Sequence, residues 1–290
     1  MYVIAGVSGN TGSVAANALL EQGKKVRVIV RDAKKGDAWK ARGAEVAVAS
    51  AEDEAALTKA LEGATAAYFI SPPDVTSSDF LAARRATADI LARAVERSGV
   101  GHVVLLSSVG AQQPDGTGPI RTVHYAEERL ARTPAKTTFL RAAYFLENWG
   151  AVLPAAAQGQ LPTFLPPDLV VPMVGTRDIG LTAAKALLEG PPSGKVDIIE
   201  LSGPRDYSSR DIATILSTLL GKPVAVAAAP LDAVVPTFTS FGMSASVAGL
   251  FREMYEGIAS GRVAFEGKGA RAVRGQSDAA SVLGDLLKKA

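Results

Sequence analysis

The sequence opens with Tyr2-Val3-Ile4-Ala5-Gly6-Val7-Ser8-Gly9-Asn10-Thr11-Gly12, an apolar run that leads directly into a glycine-rich segment. Residues Ser13 to Gln22 have the composition of a helix, and a second apolar run, Val26 to Val30, ends in Arg31-Asp32. This order predicts a strand, a tight turn, a helix and a second strand. Such a unit binds a dinucleotide in many α/β proteins.

The glycine-rich segment contains the residue types that suit contact with a pyrophosphate. Glycine lets phosphate oxygens approach backbone N–H groups, and the following helix adds unpaired N–H groups and the positive end of its dipole. The spacing is G-x-x-G-x-x-G rather than G-x-G-x-x-G, and a purely structural turn is the alternative. The residues predicted to bind the pyrophosphate are Gly6, Ser8, Gly9, Asn10, Thr11 and Gly12.

Arg31 follows the second strand, where NAD-binding proteins usually carry an acidic residue that binds the ribose 2′-hydroxyl. A guanidinium here matches a 2′-phosphate in charge and geometry, and Lys34 and Lys35 add positive charge. We therefore expect NADP(H), in the form NADPH, rather than NAD as the cofactor. Asp32 could still reach a ribose, and a solvent-exposed arginine on a loop is the alternative.

The composition is that of a folded protein with a substantial core. The chain has 290 residues, of which 48% are hydrophobic, and its 31 basic and 29 acidic residues give no reason to expect nucleic acid binding. The absence of cysteine excludes disulfides and thiolate metal sites, and two distant histidines argue against a metal site. Without a leader or an apolar run of about 18 residues, the sequence predicts a cytoplasmic protein with no membrane association.

Short apolar runs alternate with helical patterns through residues 1–150, which predicts a Rossmann-type α/β domain with a doubly wound parallel sheet. Residues 151–290 are expected to form a smaller substrate lobe that packs with the first part and returns some elements to its sheet. A helix from Ser78 to Ser98 is expected to be capped by serine, and Asp178 is expected to cap a helix through Leu188.

Ligands of such sheets bind at the carboxyl ends of the strands, so residues that follow strands are candidates for the site. Ser71 and Pro72 are expected beside a cofactor ribose. Ser107 and Ser108 end the fifth strand, where a hydroxyl can lie near the substrate, although a strand-end hydrogen bond is the alternative. Tyr144 and Phe145 follow the sixth strand and are expected to wall the nicotinamide and acceptor end.

Five segments together resemble the NmrA-like group of atypical short-chain dehydrogenases/reductases. They are Gly6–Gly12, Val28–Asp32, Leu106–Ala111, Phe139–Asn148 (FLRAAYFLEN) and Val174–Gly180. The resemblance implies a Rossmann fold with a small C-terminal substrate lobe. The family includes NADPH-dependent quinone and dye reductases, reductases of plant phenylpropanoids and cofactor-sensing regulators with little or no catalysis. The resemblance therefore implies the class of cofactor more firmly than the reaction.

Typical short-chain dehydrogenases use Tyr-x-x-x-Lys on the helix after the fifth strand, where lysine lowers the pKa of the tyrosine that transfers the proton. This chain reads Tyr125-Ala126-Glu127-Glu128-Arg129, so Tyr125 and the adjacent His124 are the candidate catalytic residues. Packing of Tyr125 and a loop contact of His124 are the alternative. The missing lysine argues against the phenylpropanoid reductases and against a nucleotide-sugar epimerase.

We expect an NADPH-dependent oxidoreductase, similar to quinone reductases, that transfers a hydride to a quinone-like or aromatic carbonyl acceptor. Such a transfer needs orientation in an apolar slot more than a strong acid, and Phe145 is the main candidate for its wall. Phe238, Phe241 and Met243 could close the slot from the second lobe. The alternative is a non-catalytic NADP(H)-sensing regulator of the NmrA type. Both functions are compatible with a homodimer or a regulatory protein partner.

Overall fold

A computed structural model describes residues 1–71 and 74–289 of the chain, so Pro72, predicted beside the cofactor, lies outside the described residues. In chain order the strands are β1 (Tyr2–Ile4), β2 (Val26–Val30), β3 (Glu45–Val48), β4 (Ala66–Phe69), β5 (His102–Ser108), β6 (Lys136–Ala142), β7 (Tyr144–Phe145), β8 (Gln160–Thr163), β9 (Val171–Val174), β10 (Val196–Ser202), β11 (Asp206–Tyr207), β12 (Ala225–Ala228) and β13 (Arg271–Arg274). The α-helices are α1 (Asn10–Glu21), α2 (Asp37–Ala41), α3 (Glu54–Leu61), α4 (Phe80–Ser98), α5 (Arg121–Ala131), α6 (Leu153–Ala156), α7 (Thr176–Glu189), α8 (Ser209–Leu220), α9 (Val234–Ser240), α10 (Ala245–Ala259) and α11 (Ala279–Leu287).

Eight strands form one sheet in the order β13-β10-β6-β5-β4-β1-β2-β3, and all of its strand pairs are parallel. The strand order reverses at β1, where Tyr2 lies opposite both Val26 of β2 and Ala66 of β4. In a doubly wound sheet, the crevice for a ligand opens beside this reversal, at the carboxyl ends of the strands. The predicted Rossmann-type fold is confirmed.

Each face of the sheet has its own apolar core, because successive side chains of a strand point to opposite faces. On one face, α1 and α7 cover the sheet, with Ile4, Leu19 and Ile179 in the buried cluster. On the other face, α3, α4 and α5 cover it, with Phe69 and Leu130 among the buried residues. The glycine-rich loop between β1 and α1 therefore stands at the carboxyl end of a sheet that is packed on both sides.

Two predicted helix starts in the first half are wrong. Helix α1 begins at Asn10 rather than at Ser13, with Gly9 as its N-cap, so the glycine-rich segment runs into the first helical turn. Helix α4 begins at Phe80, and its cap is Asp79 rather than a serine: the Asp79 carboxylate accepts the Ala82 N–H at 3.0 Å. The backbone N–H groups of a helix's first turn have no partner within the helix, and the residue just before that turn, here Gly9 or Asp79, is the N-cap.

Asp178 was predicted as the cap of α7, but it lies within the first turn of that helix. The group that accepts the first N–H comes from elsewhere in the chain, since Thr176 donates its N–H to the Glu147 carboxylate at 2.9 Å and 3.0 Å. The Asp178 carboxylate instead accepts the N–H of Ser277 at 2.8 Å. It thereby fixes the segment that follows β13.

The second half of the chain adds two strands to the large sheet and builds a smaller body beside it. Strands β10 and β13 extend the sheet beyond β6. Short sheets, β11-β9-β7 and β12-β8, and helices α8 and α11 enclose a third apolar core that includes Trp149, Tyr207 and Leu283. Among residues 1–71 and 74–289, no helix has both the length and the apolar composition to cross a membrane.

Candidate functional site

The three glycines of the loop differ in how strictly the fold requires glycine. Gly6 has a φ of +71°, and a side chain there would meet Ile70 at 2.4 Å. At Gly12 a Cβ would meet the carbonyl oxygen of Gly6 at 2.5 Å. At Gly9, however, the nearest neighbour of an added Cβ is the same oxygen at 3.4 Å, which is an ordinary contact. The fold therefore requires Gly6 and Gly12, whereas it leaves open space at Gly9.

The side chains of the loop divide into exposed and engaged groups. Ser8, Gly9 and Asn10 are exposed at the N-terminus of α1. Thr11 is buried, and its hydroxyl accepts a hydrogen bond from Tyr68 at 3.1 Å, which pins the helix start to β4. Burial raises the pKa of Tyr68, so this donor keeps its proton. The Thr11 hydroxyl therefore has Tyr68 as its donor partner and keeps its own proton.

Arg31 is exposed at the end of β2, and its guanidinium forms no ion pair or hydrogen bond with the residues that the structure describes. Its neighbour Asp32 is engaged locally, because its carboxylate accepts the Lys34 N–H at 2.9 Å and caps a short 3-10 turn. The strand end therefore presents a free cation and a carboxylate that already has a partner.

A cavity of about 310 Å³ brings much of the predicted cofactor site together. Its walls come from the glycine-rich loop, from the ends of β2, β3 and β4, from single residues of α3 and β5, and from Arg84–Leu91 of α4 and Thr122–Ala126 of α5. The predicted residues that line it are Gly6, Ser8, Gly9, Arg31 and Ser71. Its inner wall is largely apolar and includes Leu57, Phe69, Leu91, Leu105 and Ala126. We call this space the cleft cavity.

The serines at the end of β5 lie outside the walls of the cleft cavity and are engaged elsewhere. Ser107 is buried, and its hydroxyl donates to the Glu127 carboxylate at 2.5 Å. Ser108 donates to the carbonyl oxygen of Val109 at 3.0 Å. Glu127 is in turn paired with Arg141 at 2.7 Å, and Arg141 reaches Glu266 at 2.7 Å. Ser107 thus belongs to a buried ionic network that joins α5, β6 and the segment before β13.

Burial disfavours the charged guanidinium of Arg141, but its hydrogen bonds to Glu127 and Glu266 outweigh burial and hold its pKa above the ordinary value. A buried charge is stable only when it is paired in this way. The pairing of Glu127 with Arg141 holds the middle of α5 against β6.

The candidate proton donors on α5 have partners away from the cleft cavity, and neither lines it. The Tyr125 hydroxyl donates to the Asp89 carboxylate of α4 at 3.0 Å, and Arg129 contacts the same carboxylate at 2.5 Å. His124 Nδ1 lies 2.7 Å from the carbonyl oxygen of Ala111 in the loop after β5. Catalysis by these two residues stays a prediction.

Aromatic side chains of the second half gather around the end of β7. Tyr144 lies 6.2 Å from Trp149, centroid to centroid. Four further rings pack together with neighbouring centroids 5.2–6.3 Å apart: Phe164, Phe238, Phe251 and Tyr255. Burial raises the pKa of Tyr144 and of Tyr255, so both keep their phenolic protons.

Phe145 and Phe241, both predicted beside an acceptor slot, have different surroundings. Phe145 is half-buried and packs against the core under the α1 face of the sheet. Phe241 stands at the turn between α9 and α10, and 78% of its surface is exposed. That turn is tied to the loop before α4, because Ser244 donates its N–H to Val75 at 2.9 Å.

Four residues that shape the site were missed by the sequence reasoning: Asp89, Glu127, Arg141 and Glu147. A signal existed for Arg141, because an arginine within an apolar strand is seldom buried without a carboxylate partner. Asp89 carried no comparable signal, since its partners Tyr125 and Arg129 lie on another helix.

Known proteins resemble this chain over most of its length. It is 27% identical to the NAD(P)H azoreductase of Xenophilus azovorans over 258 residues, 88% of this chain and 86% of that protein. It is 28% identical to quinone oxidoreductase 2 of Escherichia coli K12 over 229 residues, 77% of this chain and 76% of that protein. The crystal structure of an NADPH-dependent quinone oxidoreductase from Escherichia coli in complex with NADPH matches 99% of this chain and 100% of that one, with a TM-score of 0.83.

At 23% identity, the structural match establishes the shared fold alone. The family itself is established by the sequence, because the sequence model of the NmrA-like family matches residues 2–261. That range contains the glycine-rich loop, Arg31, the buried network at Arg141 and the aromatic residues around Tyr144. The chain belongs to the NmrA-like family.

Proposed function

We propose that the protein is an NADPH-dependent oxidoreductase that transfers a hydride to a quinone-like or aromatic carbonyl acceptor. The observation that carries the proposal is the cleft cavity, which Gly9 and Arg31 line together. Gly9 leaves open space beside the N-terminus of α1, and Arg31 offers a guanidinium that has no other partner among the described residues. Such a combination fits a pyrophosphate and a 2′-phosphate.

The names of the relatives support the coarser part of this proposal. Two of them are named as an NAD(P)H azoreductase and a quinone oxidoreductase, and a third as a (4-alkanoyl-5-oxo-2,5-dihydrofuran-3-yl)methyl phosphate reductase. A nicotinamide cofactor and a small-molecule acceptor are common to such activities. The preference for NADPH rests on Arg31, and the choice of acceptor rests on the aromatic residues around β7.

Each predicted cofactor residue has a proposed part. Gly6, Gly9 and Gly12 shape the loop, and the backbone N–H groups from Ser8 to Thr11 hold the pyrophosphate. Arg31 holds the 2′-phosphate, and Ser71 lies beside a ribose. Ser107, Ser108, Tyr144 and Phe145 surround the nicotinamide and acceptor end, where Ser107 acts through its backbone because its hydroxyl is engaged by Glu127.

When bound, NADPH supplies the hydride. The part of the protein is to hold the charged end of the cofactor and to orient the acceptor. The Ser107 and Tyr125 hydroxyls are both engaged by carboxylates. A quinone suits this arrangement, because its oxygen stabilises negative charge well and can take its proton from water.

The test is oxidation of NADPH, followed by absorbance at saturating cofactor, with quinones, aromatic aldehydes and an azo dye as acceptors. We expect turnover with quinones and a clear preference for NADPH over NADH. Gly9→Val serves as a control that folds but does not hold the cofactor. Tight NADPH binding without turnover of any acceptor would contradict the proposal and favour the NADP(H)-sensing regulator.

A further inference from the structure

Asp89 connects α4 and α5, two helices that both contribute residues to the wall of the cleft cavity. Its carboxylate, on α4, accepts the Tyr125 hydroxyl at 3.0 Å and 3.2 Å and contacts Nε of Arg129 at 2.5 Å. Arg85 lies over the Tyr125 ring, with its guanidinium carbon 5.6 Å from the centroid. We call Asp89, Tyr125 and Arg129 the clasp.

The residues of the clasp alternate with residues that line the cleft cavity. On α4, Ala88 directly precedes Asp89 and Leu91 follows it by two positions, and both line the cavity. On α5, Thr122 and Ala126 do so, one turn apart, while Tyr125 faces Asp89. Because these cavity residues share helices with the clasp, any change in the distance between α4 and α5 alters the width of the cavity.

The other edge of α4 is fixed independently of the clasp. Arg93 and Arg97 of α4 both pair with Glu54 of α3, at 2.6 Å and 2.7 Å. Loss of the clasp should therefore let α4 tilt away from α5 rather than detach from the protein. The cavity would lose its fit to a ligand while the fold is retained.

The electrostatics of Tyr125 disfavour a role in proton transfer. In Tyr-x-x-x-Lys enzymes, a cation lowers the pKa of the tyrosine. Here burial raises the pKa of Tyr125 and the Asp89 carboxylate raises it further, against the opposing charges of Arg129 and Arg85. The hydroxyl proton is directed to Asp89 and away from the cavity.

We propose that Asp89, Tyr125 and Arg129 are positioning residues that set the separation of α4 and α5 and, through it, the affinity for NADPH. The Tyr-x-x-x-Arg segment, at the place where related enzymes transfer a proton, holds the cofactor cleft in shape. The inference rests on the proposed binding of NADPH in the cleft cavity, but it does not require that the protein turns over an acceptor.

The experiment measures NADPH dissociation directly, by quenching of tryptophan fluorescence, and turnover of a quinone separately. The variants are Asp89→Asn, Tyr125→Phe and the double substitution. Asp168→Asn is the matched control, since Asp168 also pairs with an arginine, Arg210, at 2.6 Å but lies outside the walls of the cavity.

We expect Asp89→Asn to weaken NADPH binding about tenfold and Tyr125→Phe about threefold. The double variant should bind NADPH no more weakly than Asp89→Asn does, because both substitutions break the same contact between Asp89 and Tyr125. Turnover at saturating NADPH should stay close to that of the native protein in every variant. Asp168→Asn should leave the NADPH affinity unchanged.

Two results would overturn the proposal. One is a large fall in turnover of Tyr125→Phe with unchanged NADPH affinity, since that result would make Tyr125 the proton donor. The other is a lower melting temperature of the clasp variants with native NADPH affinity, which would make the contact merely structural. A native protein that binds NADPH but reduces no quinone refutes the proposed activity only, whereas one that binds no NADPH refutes both proposals.

Discussion

The loop between β1 and α1 and the region where β5 meets α5 differ in how their polar groups are used. In the loop, Ser8 and Asn10 are exposed, and Gly9 leaves open space. In the β5–α5 region, the hydroxyls of Ser107 and Tyr125 already donate to carboxylates. The Ser8 and Asn10 side chains thus have no partner among residues 1–71 and 74–289, as the proposed cofactor site requires, whereas the Ser107 and Tyr125 hydroxyls are already paired.

Cofactor binding and proton transfer place different requirements on the polar groups of a site. A loop that holds a pyrophosphate needs only open backbone and a helix terminus, and the local sequence supplies both. A proton-transfer site needs a hydroxyl that is free to face the acceptor. In this chain the loop side chains of Ser8 and Asn10 are exposed, whereas the Ser107 and Tyr125 hydroxyls donate to Glu127 and Asp89.

Gly9→Val is the most severe test of the glycine-rich loop between β1 and α1. A branched side chain in the open space would block the approach of a pyrophosphate, so NADPH binding should be lost, by more than about a thousandfold. The melting temperature should change little, because nothing crowds this position. Calorimetric titration with NADPH measures the loss, and a folded variant with native affinity would remove the loop from the cofactor site.

The acceptor side is tested by comparing Phe145→Ala with Tyr125→Phe. Loss of the Phe145 ring removes a wall of the proposed slot, and a misplaced acceptor can cost about a hundredfold in turnover. Tyr125→Phe should lower turnover far less. Quinone reduction at saturating NADPH distinguishes the two, and Phe145→Leu controls for loss of core packing. The reverse order of effects would return Tyr125 to a catalytic role.

Arg31→Ala tests whether the free cation at the end of β2 selects the cofactor. The ratio of NADPH to NADH affinity should fall roughly ten- to hundredfold, with NADH affinity almost unchanged. Binding of both cofactors is measured on the same preparation, with Lys34→Ala as a nearby control. An equal loss for both cofactors would show that Arg31 does not contact the 2′-phosphate.

The smallest effect on turnover is expected from Ser107→Ala. Its hydroxyl serves Glu127, which keeps two hydrogen bonds from Arg141 after the substitution. Turnover should stay within about twofold of the native value, while stability falls by about 1–2 kcal/mol. Denaturant unfolding and quinone reduction measure the two quantities. A fall in turnover with unchanged stability would place Ser107 at the acceptor instead.

The sequence predicted the large sheet well, because its strands are short apolar runs bounded by turn residues. The prediction of β2, Val26–Val30, is confirmed to the residue. Strand β13 was not predicted, because Arg271–Arg274 lacks the apolar pattern of the other strands of the large sheet. The start of α7 was predicted at the wrong residue, because the carboxylate that accepts the Thr176 N–H belongs to Glu147, which lies far away in sequence.

The candidate site was predictable to the extent that it depends on local backbone. The cleft cavity unites Gly9, Arg31 and Ser71, all predicted from their place after strands. The partners of Ser107 and Tyr125 were not predictable, since Glu127 and Asp89 reach them through the packing of helices. Which hydroxyls are free is a property of the tertiary structure and is not encoded in a motif.

The position of strand β13 near the end of the chain affects how the sheet forms during synthesis. Until Arg271–Arg274 has been synthesised, β10 has an unpaired edge, and such an edge is a template for pairing with other chains. The finished edge carries arginines at both of its ends, paired with Asp197 and Asp206. A chain cut before Arg271 should therefore self-associate, whereas the intact sheet ends on a strand whose charges discourage further pairing.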